Sequence, residues 1–250
     1  DHRDLHSFPT RRSSDLGSPS LSCLSMPLIQ KLLKHTNISG WEYVQSIDES
    51  ACIETAVNLL HNYLQTKKLP IHLIGHGIGG TIALVFARQY PHVVKSLTLL
   101  AVATQPANTW HVNYYQQRQI YTLSQKEALL NTIHNLFREK SIHSPHKLIN
   151  NFNKDLENVP LKHSLFEIEK LPVGGVSMPL MVCGGQIDPI LSYLELDKWR
   201  EYLKSGDAVW NCPQGSHFFH YFYPDLVSEQ IFKFWKLSQK PTLKKDLAKT

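Results

Sequence analysis

The stretch that most constrains this chain is IHLIGHGIGGTIALVFARQYP, Ile71 to Pro91. It reads as a short buried strand, a glycine turn and a helix ended by proline, so the backbone must pass from sheet to helix within a residue or two. Two motifs share its glycines. Gly75, Gly77 and Gly80 have the G-x-G-x-x-G spacing of a dinucleotide-binding loop. Gly75, Gly77 and Gly79 have the G-x-S-x-G spacing of a turn that presents a nucleophilic serine, with glycine in the serine's place.

The dinucleotide motif needs an acidic residue about 20 positions further on, at the end of the next strand, to bind ribose hydroxyls. Here that strand ends LLAVATQPA, and no Asp or Glu occurs between Gly75 and Glu127. No Arg stands there for a 2'-phosphate either. The motif usually opens the first strand–helix–strand unit, whereas strand and helix patterns precede this one. The dinucleotide reading fails, and no cofactor is expected.

The flanking pattern predicts an α/β fold. SMPLIQKLLK (Ser25 to Lys34) is helical in spacing, WEYVQSID (Trp41 to Asp48) alternates as a strand, and Ile53, Ala56, Val57, Leu60, Tyr63 and Leu64 repeat every 3.6 residues. With IHLIG, the helix after it and VKSLTLLAVA, this alternation predicts a mostly parallel sheet flanked by helices. It stops after about Thr104. Ser124 with Glu127 forms a capping box, Ser144-Pro145 makes a helix start, and residues 105–177 read as a helical insertion, a lid. The sheet resumes with MPLMVCGG (Met178 to Gly185), a helix near Tyr193 to Leu203, AVWNC (Ala208 to Cys212) and a last helix from Pro224 to Leu237.

The two ends contribute little. DHRDLHSFPTRRSSDL, residues 1–16, has no periodic apolar face and resembles the conceptual translation of a sequencing-adapter oligonucleotide. No packed element is expected from it. Residues 17–104 and 178–237 then form the core, and 238–250 a Lys-rich tail. Five Lys against one Asp in Lys236 to Thr250 carry +4 of the formal net charge of +5. The body is nearly neutral, which argues against a nucleic-acid partner. No apolar run approaches the roughly 20 residues of a membrane span. Cys23, Cys52, Cys183 and Cys212 lack paired metal-ligand spacing and suit reduced thiols in a cytoplasmic protein, and the fourteen His form no H-E-x-x-H motif, so no metal site is expected.

HLIGHGIGG, VKSLTLLA, PLMVCGGQIDPI and GSHFFHYFYPDLV each resemble sequence blocks of the α/β-hydrolase superfamily, and the resemblance runs from about Leu21 to Leu237. It implies an α/β-hydrolase fold with a helical lid, with Asp188 in the acid position after one strand and His217 in the base position after the next. Ile78, just after the nucleophile position, would give one oxyanion N–H. GSPSLSC (Gly17 to Cys23) resembles the end of the loop that supplies the second, which makes Gly17 and Ser18 the candidates. The strand before that loop, and the family's earlier strands, are expected to be missing. That would leave an exposed sheet edge and a chain that associates or expresses poorly.

The departure is Gly77. Glycine tolerates the strained turn but cannot attack a carbonyl, so acyl-enzyme chemistry through residue 77 is excluded. Thr81 should face away, His76 should pack beside the turn, Cys183 and Cys212 should be buried, and His220 is a lesser rival to His217. A water or substrate hydroxyl in the serine's place, with His217 as general base, would let the protein transform a small apolar ligand. Two other readings stay open: a non-catalytic binding protein that keeps the Asp–His pair structurally, and an ordinary serine hydrolase if Gly77 is a base-call error.

Overall fold

The computed structural model describes residues 12–17, 19–43, 52–105, 109–137, 145–158 and 171–238. Among them six strands form one parallel sheet in the order β2-β1-β3-β4-β5-β6. The strands are β1 (Arg12–Gly17), β2 (Asn37–Glu42), β3 (Ile71–His76), β4 (Val94–Leu100), β5 (Leu180–Gly185) and β6 (Ala208–Cys212). Helices α1 (Met26–Leu33), α2 (Ile53–Gln65) and α3 (Gly77–Gln89) connect the first four strands. Helices α4 (Trp110–Tyr121), α5 (Gln125–Phe137) and α6 (Pro145–Asn158) lie between β4 and β5. After β5 come α7 (Tyr193–Asp197) and a 3-10 turn (Lys198–Tyr202), and after β6 come α8 (Phe219–Phe222) and α9 (Pro224–Leu237).

Alternation along the strands sorts side chains onto two cores. Leu73, Leu180 and Val182 pack with α2 and α3 on one face, while their neighbours Ile74, Met181 and Cys183 pack with Leu28 and Leu32 of α1 and with Ile231 and Trp235 of α9 on the other. Burial on both faces explains why these strands read as continuous apolar runs. A third cluster joins α4, α5 and α6 to Leu21, Leu24 and Phe218 above the sheet.

Chain direction fixes where a ligand can sit. From β1 the chain runs outward to β2, returns beside β1 as β3, and then builds β4, β5 and β6 on the other side. The order therefore reverses between β1 and β3. In open parallel sheets the crevice at the carboxyl ends of such a pair is where ligands bind.

One expectation is corrected by β1. Residues 12–16 were expected to contribute no packed element, and the strand before Gly17 to be missing, yet Arg12–Gly17 pairs with β2 on one side and β3 on the other. Parallel pairing is made by backbone N–H and C=O groups, so a segment without an apolar pattern can fill the place. Strand β2 also falls earlier than the alternation in WEYVQSID suggests, at Asn37–Glu42, and residues 44–50 lie outside the described residues. Ser144 and the tail from 239 lie outside them too. The Ser124 box forms as expected: the backbone N–H of Ser124 donates to Glu127 (3.0 Å), and that of Glu127 donates to the Ser124 hydroxyl (3.3 Å).

Strand β3 and helix α3 meet almost backbone to backbone. A Cβ on Gly75 would stand 2.6 Å from Gly80 Cα and 2.7 Å from the Gly79 carbonyl oxygen. Neither neighbour is a side chain that can rotate away. Gly75→Ala is therefore expected to destabilise the fold by about 3 kcal/mol, at the upper end of overpacking costs. Urea unfolding would measure it, and a variant within about 0.5 kcal/mol of the parent would contradict this packing.

Candidate active site

The turn at residue 77 has the left-handed backbone expected of a nucleophile elbow. His76 is still extended, and Gly77, the first residue of α3, has φ +51°, in the left-handed region. A Cβ on Gly77 would meet nothing within 4 Å, so there is open space where a serine side chain would stand. That space belongs to a cavity of about 60 Å³ at the carboxyl ends of the strands, whose wall includes His76, Gly77, Ile78, Ala101 and His217. Ile78 lies in the first turn of α3, where backbone N–H groups have no partner within the helix.

Asp188 and His217 come together at this edge. The loops after β5 and β6 are tied by backbone bonds: Ile187 N–H donates to the Gly215 carbonyl (2.9 Å) and Gln186 N–H to that of Cys212 (3.0 Å). Asp188 Oδ1 accepts from the N–H groups of Ile190 (2.8 Å) and Leu191 (3.1 Å), which fixes the carboxylate. Its other oxygen, Oδ2, lies 2.9 Å from His217 Nδ1, and both side chains are buried. A carboxylate only accepts, so Nδ1 carries the proton and Nε2 of the neutral ring keeps its lone pair. The pair holds the His217 imidazole in one orientation in the cavity wall.

The other candidates fall out as follows. Gly17 ends β1, Ser18 lies outside the described residues, and the neighbouring segment supplies Leu21, Leu24 and Ser25 to the cavity wall. Thr81 is buried and its hydroxyl donates to the Gly77 carbonyl (3.3 Å), so it turns back into its own helix. Burial raises the thiol pKa values of Cys183 and Cys212, the latter to about 12, and neither is a ready nucleophile. Among the described residues no cluster of His, Cys, Asp or Glu could hold a metal ion. No described helix is long and apolar enough to cross a membrane.

His76 does pack beside the turn, with Nε2 donating to the His217 carbonyl (3.2 Å), and its ring also lines the cavity. Burial, with His220 and His217 alongside, holds its pKa well below 6.5. Burial and the neighbouring His217 push His220 down to about 3. A histidine kept neutral in the fold but free to protonate when unfolded stabilises the fold above its ordinary pKa and loses that contribution as pH falls. Stability is thus expected to decline from pH 6.5 toward about 3. The slope should reach up to roughly 1.4 kcal/mol per pH unit for each of the two rings. Melting curves at descending pH would show it, and a His220→Phe variant should flatten the slope; an unchanged slope would contradict the assignment.

Spacing gave no warning of His111 and Asp155, which also line the cavity, from α4 and α6. A signal exists in retrospect. Asp155 falls on the same helical face as Leu148, Phe152 and Leu156, and a carboxylate on an otherwise buried apolar stripe requires a partner.

A strained strand-to-helix turn, an acid after the next-to-last strand and a histidine after the last define an α/β hydrolase, and this chain belongs to that family. The family model for the alpha/beta hydrolase fold matches residues 52–137. The chain is 50% identical to the uncharacterized protein alr2406 of Nostoc sp. over 88% of each chain. It is 34% identical to sll0249 of Synechocystis sp., across 89% of this chain and 88% of that protein. Similar solved structures include naproxen esterase from Bacillus subtilis, with a TM-score of 0.68 at 14% identity over 92% of this chain and 85% of that one. A thermophilic esterase from Thermogutta terrifontis gives 0.67 at 17% identity, over 92% and 91%. At such identities these two speak for the fold alone.

Proposed function

We propose that this chain binds a small ligand beneath α4–α6, which serve as a lid, and that His217, oriented by Asp188, acts on it as a general base without an acyl-enzyme. The observation that carries this reading is the open space at Gly77 within a cavity also walled by His217. A water fits the serine's place. His217 Nε2 takes its proton as the water oxygen bonds to a carbonyl carbon, and the N–H of Ile78 faces the developing oxyanion. The carbonyl then re-forms, the bond to the leaving group breaks, and the proton on His217 passes to the leaving oxygen. The cavity is less than half the roughly 150 Å³ that admits a benzene ring, so only a compact acyl group enters it.

The test is turnover of p-nitrophenyl acetate by the unaltered chain and by His217→Asn, whose amide can still donate to Asp188. Slow hydrolysis without a burst is expected, falling by ~10²-fold or more in the variant, the usual share of a positioned base. Equal rates in the two proteins would exclude the general base and favour the reading in which the pair is retained for ligand binding alone.

A further inference from the structure

The helices above the sheet bring a second histidine–carboxylate pair to the same cavity. His111 Nε2 lies 2.8 Å from Asp155 Oδ2, with His111 5% exposed and Asp155 fully buried. His111 opens α4 and Asp155 sits in the last turns of α6, so two separate elements converge to make the pair. The other ring nitrogen, Nδ1, is buried with no hydrogen-bond partner among the described residues. Buried polar atoms are nearly always satisfied, and an unsatisfied one on a residue that walls a cavity is a candidate partner for a ligand group.

The tautomer follows from the partner. The Asp155 carboxylate can only accept, so in the neutral ring Nε2 carries the proton and Nδ1 offers a lone pair. His217 presents Nε2 in the same sense. Water bound at residue 77 supplies a donor to His217, but the carbonyl and bridging oxygens of an ester are acceptors and leave His111 Nδ1 unmet. We propose that His111, held by Asp155, is a specificity-determining residue that accepts a hydrogen bond from an O–H on the ligand's acyl group. The favoured ligand class is then esters of short hydroxy acids, in preference to plain alkanoate esters. This rests on the reading in which His217 faces a compact acyl ligand. A site built to accept a donor discriminates strongly against an isostere that lacks one, because its own buried group is then unpaired.

Methyl glycolate and methyl propionate test it, since they differ by O–H against CH3 at nearly constant shape. The full chain carrying 15N-labelled histidine is titrated with each ester. Methyl glycolate is expected to shift the His111 Nδ1 resonance and to bind at least ~10-fold more tightly than methyl propionate. In the double variant His111→Phe, Asp155→Leu, which removes both members of the pair and leaves no buried charge, the preference should shrink to within about twofold, as expected once the accepting nitrogen is gone. In His217→Asn the preference should persist, which separates this proposal from the general-base reading and its kinetic test. Equal affinities, tighter binding of the propionate, His111 nitrogens that do not move, or no binding of methyl glycolate would each overturn it. A His111 ring protonated on both nitrogens at neutral pH would do the same. The measurements on the unaltered chain decide the matter even where a variant fails to fold.

Discussion

Gly77→Ser is expected to raise p-nitrophenyl acetate hydrolysis by ~10²-fold or more, if His217, Asp188 and the Ile78 N–H serve as the proposed remainder of a serine-hydrolase apparatus. The space for the side chain exists: nothing lies within 4 Å of a Cβ built on Gly77. The imidazole proposed as base is held by Asp188, with the His217–Asp188 bond at 2.9 Å. The substitution has an opposing cost. A side chain at φ +51° carries a left-handed backbone, which for residues other than glycine costs roughly 1–2 kcal/mol. The variant should thus be more active and melt a few degrees lower, and adding Asp188→Asn should remove the gain by leaving the imidazole in the wrong tautomer. A folded Gly77→Ser protein no faster than its parent would mean that the base or the oxyanion donors are misplaced.

The second large effect concerns stability. His217→Leu leaves the Asp188 carboxylate buried with only its Oδ1 partners, Ile190 and Leu191. Breaking a buried pair by removing one member costs about 3–5 kcal/mol. For a chain of this size that is a fall in melting temperature of roughly 6–20 °C. His217→Asn should fall much less, since its amide can still meet Oδ2. If the leucine variant melts within about a degree of the parent, the pair is not buried and bonded as described.

Legibility in the sequence followed the source of each element's order. The helix Pro224–Leu237 lies where apolar periodicity puts it, because burial of Val227, Ile231, Phe234 and Trp235 is what holds it in place. Asp188 and His217 were readable because each follows a strand directly, so short loops carry them to one edge of the sheet. Strand β1 was not readable, since RSSDLG offers backbone pairing and no apolar pattern. The His111–Asp155 pair was hidden for another reason. Its members are 44 positions apart on helices whose meeting depends on tertiary packing, and no local rule connects them.

We propose that the frame of a serine-hydrolase active site stands around residue 77 and lacks only its nucleophile. Intact-mass measurement after treatment with a fluorophosphonate tests it most directly, on the unaltered chain and on Gly77→Ser, each shown to be folded by its melting curve. No adduct is expected on the unaltered chain, and one adduct per chain, mapped to residue 77, is expected on the variant. Stoichiometric labelling of a serine in the unaltered protein, or a folded variant that stays unlabelled, would contradict it.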